Sequence, residues 1–409
     1  MNPSNLNADI VFVSPYPIPK HKHSYDSGVA SYTKNLLQAL RYSSNLRVCA
    51  IADKRKNLPT LYEDNGVLVY RTFNKNSWYA INIFSAIKIL NPKIVHLQHE
   101  YFLYGGPLSA AEFPLIVLLS RMLLRYVVVT LHGVIPLKLL DDKKFRRENG
   151  ITGPPILLKL ALLIVTKLIA FFAHVIIVHE DFLKEYLISD YHVPSSKIVV
   201  IPHGIEKVDR ISQDEAKKKL GFNNNEVVIL YFGYLTGYKG VDILLEAYQK
   251  ICSFLANSVL IIAGGEHPRL KRYAWYKNWV KQLIQMASII KERSKNARII
   301  FTGFLNEDKI PLYFSAADLV VLPYRAKIAA SGPESISLAF KKKVITSTPN
   351  RVPTTDELAA VIVKELTKRE DNEKFIELLI DKRAWSNVAR EHLKVYNSFL
   401  SKYSKKEIL

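Results

Sequence analysis

Short apolar, β-branched runs recur along this chain, separated by longer amphipathic stretches. DIVFVSP, LRVCAIAD, KIVHLQHE, YVVVTLHG, HVIIVHE and KIVVIPHG come first, and VVILYFG, SVLIIAGG, ARIIFTGF, DLVVLPY and KKVITS follow. Runs of this kind, alternating with helical periodicity, predict parallel strands joined by crossover helices. Many of them end in Pro, Gly, His or Asp, the small or polar residues expected at the ligand-binding carboxyl edge of an open sheet. Between the two sets, residues 206–225 turn polar, and the alternation then restarts. With 409 residues, 49% hydrophobic and 23% charged, the chain can fill two cores. The expected architecture is α/β, with two Rossmann-like, doubly wound domains facing across a cleft. Residues 1–206 form the first domain and 207–385 the second; 386–409 form a C-terminal helix that packs back on the first.

Charge narrows the partners. Fifty-seven Lys and Arg against 37 Asp and Glu give a net charge of +20, which favours phosphates, nucleic acid or an anionic membrane surface. The excess is shared, +9 over residues 1–205 and +11 over the rest, and no basic tail is present. That distribution argues against nucleic acid. Cys49 and Cys252 stand far apart, outside any Cys/His cluster, so neither a zinc site nor a disulfide framework is expected. The polar start MNPSNLNAD, followed by only IVFV, is unlike a signal peptide, and a cytoplasmic setting is expected. Two apolar stretches imitate membrane spans. The second, Ile156 to Val178, contains Lys159, Lys167 and His174, which read as the polar face of a buried helix that yields to a strand. The alternative is a helix lying on a membrane surface, at the inner face, with its lysines at headgroup level.

Several loop-to-helix junctions could hold phosphate. DSGVASYTKNLLQAL places Gly28 where a helix begins, and helix N-terminal amides attract anions. In VVILYFGYLTGYKGVDILLEAY a buried strand runs into Gly233, then a loop through Thr236 to Lys239 and Gly240, then a helix. An ammonium at that point can act with the helix amides on a diphosphate as a nucleotide leaves. ARIIFTGFL sets Gly303, Phe304 and Leu305 after a strand, where apolar surface and amides suit a planar base. Ser331 and Gly332 open another helix and offer a second cradle. YVVVTLHG puts His132 at a strand end, where it can bond a sugar hydroxyl; a structural histidine is the competing reading. Each junction is ordinary by itself, and their coincidence along one chain is not.

Taken in order, the Gly28 loop, TLHG, VIPHGI, FGYLTGYKGVDILLEA, LIIAGGE, FTGFL and AADLVVLPY resemble the retaining, sugar-nucleotide-dependent glycosyltransferases of the GT-B fold, family 4 type. The resemblance implies that Gly28 borders the diphosphate and acceptor. It gives catalytic roles to His132, at the donor sugar, and Lys239, at the diphosphate. Gly233 and Thr236 fall in the donor loop, Gly303 to Leu305 in the base pocket, and Ser331 and Gly332 at phosphate. It implies no metal and no separate cofactor, a UDP- or GDP-linked hexose as donor, and a glycan or lipid-linked glycan as acceptor.

Two departures stand out. Tyr234 and Thr236 occupy places where the family commonly has an arginine, and Ile328 and Ile336 fall where two glutamates are usual. Glu334 is then the candidate for the ribose hydroxyls. Lys341 to Lys343 replace a small turn, adding charge near the donor or lying on the surface. In retaining enzymes of this kind the leaving diphosphate takes the acceptor's proton, so positioning and charge stabilisation dominate. An inverting reaction would instead need Glu100, Asp26 or His132 as base. The alternatives are a non-catalytic GT-B-like subunit of a glycosylation complex and a sugar-nucleotide epimerase. A dinucleotide-dependent dehydrogenase is disfavoured, because no strand runs into GxGxxG.

Overall fold

A computed structural model describes residues 7–19, 28–76, 78–349, 351–368 and 373–406. Among these described residues thirteen strands fall into two sheets. The first contains β1 (Ile10–Val13), β2 (Val48–Asp53), β3 (Leu61–Asp64), β4 (Val67–Phe73), β5 (Ile94–His99), β6 (Tyr126–Leu131), β7 (Val175–Val178) and β8 (Ile198–Val200), in the order β3-β4-β2-β1-β5-β6-β7-β8. The second contains β9 (Val227–Phe232), β10 (Ser258–Ala263), β11 (Ile299–Phe301), β12 (Leu319–Leu322) and β13 (Lys343–Thr346), ordered β11-β10-β9-β12-β13. Helices covering both faces bury nearly every residue of β1, β2, β5, β10 and β12, and so these strands read as unbroken apolar runs. In the second sheet the order reverses direction at β9, between β10 and β12, the position at which open α/β sheets bind ligands.

The expected α/β architecture is borne out, with one addition. The six strands anticipated in the first half are joined by the β3–β4 hairpin, antiparallel and turned at Asn65 and Gly66, both at positive φ. Asn-Gly between strands is the usual signal for such a turn. From β4 the fully buried Arg71 donates to the carbonyls of Tyr16 and Pro17, at 3.1 and 2.7 Å, fixing the loop that leaves β1.

Five helices of the first half matter below: α1 (Gly28–Ser43), α2 (Tyr79–Leu90), α3 (Pro107–Met122), α4 (Lys143–Glu148) and α5 (Pro155–Phe172). The expectation that the Ile156–Val178 stretch is a buried helix plus strand needs correcting for its helix. The helix α5 is buried only at Thr166, Ile169 and Ala170, while Leu157, Leu160, Ile164, Leu168 and Phe171 face outward. It packs sideways on α3 at the rim of the layer, and one neighbour cannot cover both sides of a helix that is apolar all round. Of its lysines, Lys159 pairs with Asp141 at 2.7 Å and Lys167 is exposed.

The terminal helix, Trp385–Lys406, lies against α1. Val388, Ala389, Tyr396 and Phe399 join Tyr32, Leu36, Leu37 and Leu40 in one core cluster over β1, β2 and β4. Burial of a side chain the size of Phe399 contributes about 2 kcal/mol, so this helix is an integral layer of the first domain. At the junction between the sheets, Ile205 N donates to Arg383 O at 2.7 Å.

Candidate active site

The two sheets present their carboxyl edges to a shared cavity of about 690 Å³. Six of the anticipated residues line it: Gly28, Gly233, Thr236, Lys239, Phe304 and Leu305. Its walls meet at backbone contacts between the domains, Val134 N donating to Ile328 O at 2.8 Å and Gly133 bridging to Ala329.

Lys239 is built into the floor by the turn that follows β9. Gly233 has φ +133°, and a Cβ there would stand 2.7 Å from Lys239 Nζ and 3.6 Å from Pro333 Cγ. The ammonium thus lies over bare backbone, beside the start of the helix Gly332–Ala339. Gly240 follows at φ +71°, where a side chain would strike the Pro323 carbonyl. Only glycine combines that left-handed conformation with so close an approach. The turn is also clamped by a residue that sequence reasoning missed. Arg325 bonds both carboxylate oxygens of Asp242 at 2.6 Å and donates to Gly237 O at 2.8 Å. Among the described residues Lys239 Nζ has no hydrogen-bond or ion-pair partner. Its enclosure between the domains lowers its pKa to about 8, because desolvation penalises the charged form.

Next to it, Tyr234 occupies the place of the expected arginine and stacks on Phe304, ring centroids 6.0 Å apart and planes 21° apart. The His267 ring stands edge-on to Tyr234 at 5.5 Å. These rings form an aromatic shelf suited to a planar base. Gly303, at φ +70°, lies just before Phe304 and outside the lining. Ile328 and Ile336 do line the cavity, so the two positions expected to carry glutamates are apolar wall.

Ser331 caps the helix Gly332–Ala339. Its Oγ accepts from Glu334 N at 3.1 Å and pairs with Tyr324 OH at 2.8 Å. The Glu334 carboxylate is 3.9 Å from Lys327 Nζ. Ser331, Gly332 and Glu334 stand outside the lining, which their neighbour Pro333 joins. Lys341 to Lys343 turn elsewhere, to Glu377, Ser315 O, and the carbonyls of Glu365 and Lys368.

His132 lies behind the wall to which Gly133 contributes. Its Nδ1 is 3.1 Å from His179 Nε2, and its Nε2 is 2.8 Å from Gln98 Oε1. His179 Nδ1 is 2.9 Å from Ile201 O, which can only accept. Burial holds both rings neutral, His132 well below the ordinary histidine value and His179 at about 3. One proton assignment then satisfies the chain. His179 Nδ1–H donates to Ile201 O and His132 Nδ1–H donates to His179 Nε2; His132 Nε2 is then an acceptor, and the Gln98 amide supplies its donor once its O and N are exchanged, which also gives the buried, unpartnered Gln98 Nε2 its bond. Tyr32 packs its ring against His132 and His179, centroids 4.8 and 4.9 Å away, and its OH is 3.4 Å from His392 Nε2; His96 forms a separate pair, its Nδ1 meeting Tyr396 OH at 2.6 Å.

Two further residues face the cavity from opposite sides. Glu100, at the end of β5, is enclosed between the domains, and desolvation raises its pKa to about 7 against the lowering influence of Arg269. Arg269 comes from the loop after β10 and reaches the first domain, donating to Asn149 O at 2.7 Å and lying 4.5 Å over the Phe102 ring. The GGEHPR segment carried the only sequence signal for Arg269, a cation soon after a strand end. Asp26 lies outside the described residues.

Comparison with known proteins agrees with this geometry. The family described as Glycosyltransferase Family 4 matches residues 27–207, and that described as Glycosyl transferases group 1 matches residues 212–381. The chain is 24% identical over 236 residues to lipopolysaccharide 1,2-N-acetylglucosaminetransferase of Salmonella typhimurium, covering 53% of this chain and 60% of that one. To alpha-monoglucosyldiacylglycerol synthase of Streptococcus pneumoniae it is 29% identical over 170 residues, covering 40% and 34%. It therefore spans less than two thirds of the length of these curated relatives. Among solved structures, sucrose-phosphate synthase of Thermosynechococcus elongatus superimposes with a TM-score of 0.74 at 17% identity, covering 96% of this chain and 99% of that one. Anabaena Alr3699/HepE in complex with UDP and glucose gives 0.67 at 16% identity, covering 96% and 100%. At such identities the likeness concerns the fold.

Proposed function

The chain belongs to the GT-B glycosyltransferases of the family 4 type, and from that premise we propose that it moves a hexose from a nucleotide diphosphate sugar to a growing glycan, free or lipid-linked, with retention at the anomeric carbon. The observation that carries the reading is Lys239, an enclosed ammonium with no counter-ion among the described residues, at a helix start in the cavity floor. A desolvated cation is costly unless an anion joins it. A donor diphosphate supplies that anion, and in transfer the charge on its leaving oxygen grows against Lys239 and the nearby helix amides. The Tyr234–Phe304 shelf receives the base, uracil or guanine. No metal is required in this scheme, because Lys239 takes the electrostatic role. The reaction is placed on the cytoplasmic side, where nucleotide sugars are made.

Donor affinity should report on Lys239 directly. The diphosphate prefers the protonated amine, so Kd is expected to be flat below neutrality and to rise about tenfold per pH unit above pH 8. Titration calorimetry with UDP- and GDP-hexoses from pH 7 to pH 9 measures this. A flat profile, or one unchanged in Lys239→Met, counts against the assignment. Product NMR tests retention; an inverted centre would overturn it and direct attention to Glu100, the carboxylate on the opposite wall.

The specific observation favouring a second reading is the pair Ile328 and Ile336 in the cavity wall. A non-catalytic subunit would have no use for carboxylates there. It predicts that neither UDP- nor GDP-sugars raise the melting temperature, whereas a binding donor must do so by mass action. Conversion of the donor without an acceptor would identify an epimerase.

A further inference from the structure

The outward side of α5 has a counterpart on α3, which packs beside it. There Leu108, Leu115 and Met122 share one exposed side, and Leu124, just past the helix, is 85% exposed at φ +60°. On α5, Phe171 is 74% exposed, in line with Leu157, Leu160 and Ile164. Two parallel apolar stripes therefore face away from the core on adjacent helices. A surface of this kind marks an interaction site rather than ordinary scatter.

Charge identifies what covers it. Residues 79–172 hold eleven Lys and Arg against five Asp and Glu. The five acids are all engaged: Glu100 lines the cavity, and Glu148 is buried. Asp142 caps α4, Asp141 pairs with Lys159, and Glu112 accepts from Ala80 N at 3.2 Å. Lys88, Arg121 and Lys167 remain exposed around the stripes. A second copy would bring like charge to like charge. Crossing a bilayer is excluded for α5, since Thr166, Ile169 and Ala170 are buried on its inner side and Ile169 and Ala170 belong to the first domain's core.

We propose that the α3–α5 face of the first domain rests on an anionic lipid bilayer, its leucine and phenylalanine side chains entering the acyl boundary while lysine and arginine stay among the headgroups. This is the geometry of an in-plane amphipathic surface, in which buried apolar area and attraction to anionic lipid add. It stands on the surface alone and would survive failure of the transferase reading. If both hold, the face gives the cleft a fixed address beside lipid-linked acceptors.

The test is co-sedimentation of the full chain with vesicles of phosphatidylcholine mixed with phosphatidylglycerol, and with phosphatidylcholine alone. Binding to the anionic vesicles is expected to be at least about tenfold the stronger. The combined variant Leu108→Ser, Leu124→Ser, Leu157→Ser and Phe171→Ser removes exposed side chains only. It is expected to lose at least about tenfold in vesicle binding while Tm and donor binding stay unchanged. Absence of binding, equal binding by the variant, or a wild-type dimer that the variant converts to monomer in light scattering would each overturn the proposal.

Discussion

Replacing Lys239 by methionine is expected to lower the rate of sugar transfer by at least about 100-fold, the scale of one lost transition-state charge contact. That corresponds to about 2.7 kcal/mol of barrier. Methionine keeps most of the stem's volume, so the floor beside Gly233 and Pro333 stays filled. Folding should not suffer, because an enclosed ammonium with no counter-ion among the described residues is itself unfavourable in the free protein. The expected result is thus a pair of readings, a large loss in kcat/KM with Tm equal to or above that of the wild type. Transfer within a few fold of wild type would remove Lys239 from the mechanism. Loss of activity together with a fall in Tm would mean that the residue holds the loop rather than the donor.

Acidification is expected to unfold the protein steeply below pH 6.5. His96, His99, His132, His179 and His392 are buried. Burial lowers His99 and His392 to about 4 and His179 to about 3, with His96 and His132 also well below the ordinary 6.5. Each is neutral when folded and protonates in the unfolded chain. Their stabilisation is therefore complete above pH 6.5 and is lost as pH falls toward 4. Glu100, raised to about 7, works in the opposite direction over the same range and offsets about one histidine. The net, five histidines less one, is roughly four protons taken up on unfolding near pH 5.5, or about 5 kcal/mol per pH unit. Set against a total stability of about 5–15 kcal/mol, this is decisive. Thermal melts should show Tm falling by about 10 °C over the first unit below pH 6, and the slope should be shallower in His392→Leu. A constant Tm from pH 7 to pH 5 would mean that the rings are not neutral and enclosed as described.

The legible parts of this structure were those with local signals. Strands buried on both faces print as apolar runs, and ordinary crossovers place their ends at one edge, so Gly28, Gly233 and Lys239 could be assigned to the cleft before any coordinates. The β3–β4 hairpin was missed although Asn65-Gly66 announces it. Its strand VLVYRTF carries Arg71, and a charged residue that proves fully buried reads in sequence as a loop. For α5 the difficulty was different. A helix apolar on all sides does not declare which side has a neighbour, and its lysines suggested an inside that the fold placed elsewhere. His132 was readable as a strand-end residue, but its partners are Gln98 on β5 and His179 just past β7, the strands to either side, at separations of 34 and 47 residues. Arg269 and Arg325 act through contacts with Asn149 and Asp242 that no periodicity encodes.

The helix Trp385–Lys406 has a bearing on how the molecule is made. It supplies a layer of the first domain, yet on the ribosome it emerges only after the whole second domain has been synthesised. Until then Leu36, Leu37 and Leu40 on α1 lack the cover that Val388, Tyr396 and Phe399 provide. The early half of the nascent chain must wait with a greasy seam open, when a contiguous domain would already have closed. Contacts spanning the sequence so widely slow folding and lengthen exposure to aggregation. Completion of the first domain is thereby made to wait on synthesis of the second.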